Sequence, residues 1–314
     1  MYDILSITFP IFAAVAIGYA TVARGLFSGD ELQVLGRYVV NIALPALLFG
    51  AVAERDLGEV LNPSYLTVYA VGAFAAIAVT VLALRLQGTG PARRAIAAMG
   101  VSCPNSGYVG YPVLLLAFPD LAAPALAMNV IVENFLMIPF CLVLLDLSRE
   151  REDRTLARVV GGILLGVVRR PFVIGLFVGL AVSLSGLPVP APVGRLADIL
   201  AASASALALF VIGGSLVGLP MRGNWALAVQ IAAGKLMAHP ALTALALLAL
   251  PLVGLPLLPE PLAAVAILSA AMPMLGIYAI FAQPYGHEGV ASMALLVTTA
   301  GAFVTLTVLL ALLA

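Results

Sequence analysis

Apolar residues run in long blocks along this chain, and the polar residues that separate them are gathered into short stretches. A membrane-crossing helix needs about 20 consecutive apolar residues. Blocks of that kind fall at 4–23, 35–53, 64–84, 94–117, 122–145, 171–187, 195–217, 225–250, 261–283 and 290–313. The pattern therefore predicts ten spans, with a shorter interfacial helix at 155–168 before the sixth. Inside two blocks the pattern breaks around a proline. Span four carries Ser102-Cys103-Pro104-Asn105-Ser106-Gly107-Tyr108-Val109-Gly110, and span nine carries Ala271-Met272-Pro273-Met274-Leu275-Gly276-Ile277-Tyr278. Pro104 aligns with Pro273, and Gly107 with Gly276, at one common offset of 169 residues.

Proline lacks a backbone donor and clashes with the preceding turn, so both spans are expected to unwind there. Unwound backbone cannot face lipid; it must pack against protein or line a cavity. Paired interruptions at matching places in two halves point to a transporter's binding site. The predicted organisation is a first five-helix repeat at 1–146, a linker at 147–170 and a second repeat at 171–314. An odd number of spans per half inverts the second repeat relative to the first. The expected fold is all-α and polytopic, with broken helices four and nine crossing.

Composition narrows the class. Of 314 residues, 63% are hydrophobic and 10% charged, with a mean hydropathy of +1.15. Soluble domains carry about 25% charged residues. The formal net charge is zero, and no basic stripe suggests nucleic acid. The first residues, Met1-Tyr2-Asp3-Ile4, lack the basic start of a signal peptide, so the first block is expected to remain as a helix. Twelve arginines fall in the odd loops and two, Arg55 and Arg195, in the even ones. That bias places the odd loops, with the linker, in the cytoplasm and both termini outside. In a bacterium this is the inner membrane.

Several polar residues lie inside the spans. Asn105 and Ser106 follow the first break, where half-helix amides suit a carboxylate; Asn105 is equally suited to cap the second half-helix. In span five Asn129 and Glu133 share a helical face, with Asn134 beside them. A charge at the bilayer centre costs about 2.5–3.5 kcal/mol on insertion scales, so Glu133 either couples a cation or proton, or anchors the broken backbone. Lys235, the only lysine, either attracts anions or snorkels to the headgroups. His239, one turn on, reads as a packed polar residue; Asn41 and Pro45 in span two are placed to face the crossover. Gly213-Gly214-Ser215 in span seven reads as close helix packing. Cys103 and Cys141 have no ligand spacing for a metal, and no nucleophile–base motif, phosphate loop or cofactor motif is present. The reading is of a transporter without cofactor or metal, and not of an enzyme.

Five pieces resemble the auxin efflux carrier family, whose bacterial members include malonate and other organic-acid carriers. They are Asn41-Ile42-Ala43-Leu44-Pro45-Ala46-Leu47-Leu48-Phe49, the run Pro104 to Pro112, Arg170-Pro171-Phe172, Lys235-Leu236-Met237-Ala238-His239-Pro240, and Met272-Pro273. The resemblance implies a scaffold and a transport domain, crossing helices four and nine, a homodimer, and alternating access for small organic anions with proton or sodium coupling. One departure is Met274 where span four has Asn105, so the second break brings no amide. A sodium-coupled symporter of the bile-acid type and a transport-incompetent sensor or scaffold are the alternatives.

Overall fold

Helices account for nearly all of the computed structural model, which describes residues 2–53, 55, 61–148, 156–219 and 224–313. Residues 149–155 of the predicted linker, with Arg149, Arg151 and Arg154, lie outside the described residues. The α-helices are α1 Tyr2–Ala23, α2 Gly29–Tyr38, α3 Leu44–Ala53, α4 Pro63–Leu86, α5 Pro91–Ser102 and α6 Tyr111–Ala117. They continue as α7 Pro119–Val132, α8 Ile138–Asp146, α9 Leu156–Val168, α10 Pro171–Ser185 and α11 Ala191–Ser215. The last are α12 Trp225–Ala233, α13 His239–Ala249, α14 Glu260–Ala271, α15 Tyr278–Ala282 and α16 Glu288–Leu313.

Among the described residues, six helical runs are long and apolar enough to cross a membrane: Gly29–Ala53, Pro63–Leu86, Pro119–Asp146, Ala191–Ser215, Trp225–Val253 and Glu288–Leu313. The bent pair Val160–Val168 and Pro171–Ser185 makes a seventh if taken as one span. Shorter apolar helices cover Phe9–Ala23, Ser106–Ala117 and Glu260–Ala271. The predicted interfacial helix at 155–168 corresponds to α9.

Four runs are interrupted by a wider π turn: Val39–Ala43, Ser106–Gly110, Glu133–Met137 and Gly234–Ala238. Each ends two residues before a proline, namely Pro45, Pro112, Pro139 and Pro240. The cause is local. A proline has no N–H for the carbonyl four residues back, and its ring crowds that carbonyl. Widening the turn moves the bond one residue on. Leu44 accordingly donates to the Val39 carbonyl, Ile138 to Glu133 and His239 to Gly234. Pro10 and Pro124 sit inside helices without such a turn, so proline is one ingredient only.

The chain forms two compact units. Unit 1 comprises Met1–Asn62, Ser106–Val130 and Val167–Gly218; unit 2 comprises Pro63–Asn105, Ile131–Gly166 and Leu219–Ala314. Each unit draws on both halves of the sequence. In unit 1, α1 packs along α11 and α3 along α10. In unit 2, α4 packs on α5 and α13, and α12 packs on α16. Glycines allow close approaches: Gly175 lies against the Pro45 backbone and Gly72 against Thr243.

Candidate functional site

The two proline breaks meet in unit 2 through their backbones. Helix α5 ends as Cys103 turns extended, at φ −90° and ψ 103°, and α14 ends as Met272 does the same, at φ −59° and ψ 148°. Pro104 and Met274 then pair as one antiparallel bridge. The Asn105 N–H donates to the Pro273 carbonyl at 2.8 Å, and the Leu275 N–H donates to the Cys103 carbonyl at 3.1 Å. Two helix ends that would leave orphaned groups in a low-dielectric interior thus satisfy one another. Met274 is fully buried and takes part through its backbone, so the missing amide at the second break does not prevent the pairing.

A buried scaffold holds the breaks in place. The Tyr278 hydroxyl donates to the Ile96 carbonyl at 2.9 Å, tying the segment after the second break to the helix before the first. Gly100 makes room for that ring: a Cβ there would lie 2.7 Å from the Tyr278 hydroxyl oxygen. Ser102 reaches the Cys141 sulfur at 3.7 Å.

Glu133 opens the third π turn and is buried. Tyr69 donates its hydroxyl to Glu133 Oε1 at 2.7 Å. Tyr69 stacks on Tyr65, whose hydroxyl lies 3.3 Å from Ser269 Oγ on α14. A polar path therefore runs from Glu133 to the helix that leads into the second break. Neither tyrosine stands out in the sequence, because a tyrosine in a span usually reads as an interfacial anchor; their spacing of four residues was the only available signal.

Lys235 does not snorkel. It is completely buried, with Nζ 3.0 Å from His239 Nδ1 and 3.0 Å from the Ala270 carbonyl, to which it donates. The π turn at Gly234–Ala238 directs it inward. The snorkelling expectation fails because the side chain finds an acceptor on α14, one residue before that helix ends. His239 is packed and fully buried, and its Nε2 has no hydrogen-bond partner among the described residues.

Unit 2 thus brings together Pro104, Asn105, Glu133, Asn134, Lys235, Pro273 and Gly276. Asn105 and Asn134 are buried, at 6% and 4% exposure. Ser106, Gly107 and Asn129 belong to unit 1, as does Asn41; Ser106 and Asn129 are buried there. Asn41 is exposed, and its side-chain amide donates to the Arg37 carbonyl at 2.7 Å.

A family model described as "Membrane transport protein" matches residues 3–310. The chain belongs to this family, that of the auxin efflux carriers. It is a multi-pass membrane transporter. A protein of Rhizobium meliloti (strain 1021) named "Putative malonate transporter" is 28% identical over 319 residues, which cover 99% of this chain and 96% of that protein. The "Uncharacterized transporter YfdV" of Escherichia coli (strain K12) is 26% identical over 210 residues, 65% of this chain and 66% of its own. The family expected from the five sequence pieces is the family found.

Proposed function

We propose that this carrier is a secondary active transporter of small organic anions of the carboxylate class, and that substrate is bound at the paired breaks of unit 2. The observation that carries the reading is the backbone pairing at Pro104 and Met274, which holds buried Asn105 beside two half-helix ends. The N-terminal end of a half-helix favours a carboxylate, and a side-chain amide can orient it. The relative named as a malonate transporter supports a dicarboxylate as the first cargo to try.

The ten apolar blocks are read as two inverted five-helix repeats. The compact units are a separate division, in which unit 2 carries substrate and unit 1 is the scaffold. Glu133 and Lys235 supply the charges through which a proton or sodium gradient drives alternating access.

Asn105→Ala tests the site. If the amide makes one contact to a carboxylate, its loss costs about 0.5–3 kcal/mol of binding. Malonate affinity, measured by thermal shift and by uptake into liposomes, should fall accordingly while the protein stays folded. Unchanged affinity and rate would make Asn105 a helix cap only.

Orientation has its own test. Glu152→Cys, in a background with Cys103 and Cys141 replaced, should react with an impermeant maleimide only after the membrane is opened. Labelling of intact cells would reverse the proposed topology and remove the argument for inversion.

A further inference from the structure

The ends of four helices of unit 2, those of α4 and α8 and the starts of α5 and α16, surround two adjoining cavities that the transport reading leaves unused. The first, of about 400 Å³, is lined by Pro91, Arg93, Ser148 and His287. The second, of about 290 Å³, shares Pro91 and Ser148 and adds Arg85 and Arg94 beside the apolar side chains of Val81, Leu144 and Leu147. No hydrogen bond or ion pair ties any of these three guanidinium groups to a described residue.

Glu288 adjoins His287, with one carboxylate oxygen buried and unpartnered, and Asp146 lies two residues before Ser148. Burial and the Arg93 guanidinium hold the His287 imidazole below its ordinary range, so it adds no charge at neutral pH. Among the described residues, three arginines against two carboxylates leave one positive charge in excess. A monoanionic phosphodiester matches that excess; a free phosphate dianion exceeds it. Helix α5 adds amides at its start, where Gly90 provides no side-chain cap. The apolar wall of the second cavity continues outward into Leu82, Leu86 and Leu147, which are 59%, 80% and 58% exposed. Apolar surface beside guanidinium groups at the ends of spans suits a molecule with a charged head and hydrocarbon tails.

We propose that these two cavities seat the phosphodiester headgroup of an anionic phospholipid, with its acyl roots along Val81, Leu144 and Leu147. The full-length protein in detergent is titrated with phosphatidylglycerol, phosphatidylcholine or sodium phosphate, with bound lipid counted by native mass spectrometry and stability followed by thermal shift. Phosphatidylglycerol should bind and raise the melting temperature, phosphatidylcholine should not, and phosphate should fail to displace the bound lipid. Arg85→Gln with Arg94→Gln should weaken phosphatidylglycerol binding by roughly tenfold or more, since each basic residue near anionic lipid contributes about 1 kcal/mol. Ser148→Glu keeps every arginine and places a carboxylate in the seat, so it should weaken binding comparably should the double variant prove unstable. Equal binding of the two lipids, displacement by free phosphate, or wild-type lipid affinity in a folded variant would each overturn the proposal.

Discussion

Glu133→Gln should abolish gradient-driven accumulation of substrate in liposomes while exchange of substrate down its own gradient continues. The substitution is nearly isosteric, and its carbonyl oxygen can still accept the Tyr69 hydroxyl now 2.7 Å from Oε1. The hydrogen bond changes from a charged to a neutral acceptor, a loss of about 1 kcal/mol, so the protein should remain folded. What disappears is an ionisable carboxyl group buried in the unit that also holds Lys235. If Glu133 carries a proton, glutamine mimics the protonated state permanently and transport loses its response to a pH gradient. If it binds sodium, the sodium response is lost while pH dependence remains. If it only anchors the backbone through Tyr69, accumulation survives almost intact. Proton and sodium gradients imposed separately distinguish the three, and wild-type accumulation ratios in the glutamine variant would sink both coupling roles.

Gly213→Ala should be the most damaging single methyl group in unit 1. Helices α1 and α11 approach there until their backbones touch: a Cβ on Gly213 would collide with the Val15 carbonyl, and one on Gly18 with the Phe210 carbonyl. Adding a methyl to a packed interior costs about 1–3 kcal/mol, occasionally more. Here the obstacle is backbone, which has no rotamer to escape into, so the upper end, about 3 kcal/mol, is expected. Gly50→Ala is the matched control, because nothing lies within 4 Å of a Cβ at that position. Removing a helix-interior glycine from open space should stabilise by about 0.5–1 kcal/mol. Thermal unfolding in one detergent should move the two variants in opposite directions. An unchanged melting temperature for Gly213→Ala would mean that these helices separate more readily than their packing indicates.

Apolar blocks and the two proline breaks were readable from residue type alone, because span length and proline's missing donor are local matters. Glu133 stood out for the same reason, since a carboxylate among apolar neighbours is conspicuous. The surroundings of Lys235 were not readable: its partners are a histidine one turn on and a carbonyl on another helix. Sequence spacing gives the first and says nothing of the second. The tyrosine pair behind Glu133 was hidden by its ordinariness. The compact units were hidden by chain order, since each gathers three separated segments. The π turns fell between these cases. The prolines that accompany them are plain in the sequence, yet whether a helix kinks or widens depends on the packing around it.

The bridge between Pro104 and Met274 has a consequence for how such a carrier can change over time. Its two hydrogen bonds run from main chain to main chain, from Asn105 to Pro273 and from Leu275 to Cys103. Amides and carbonyls are the same whatever side chain they bear, so at the asparagine, leucine or cysteine that contributes to it this joint tolerates any substitution that keeps the backbone N–H, proline being the exception. On the proposed site, the side chain at position 105 is free to vary while the framework beneath persists, which leaves room for a lineage of relatives with one skeleton and many diets.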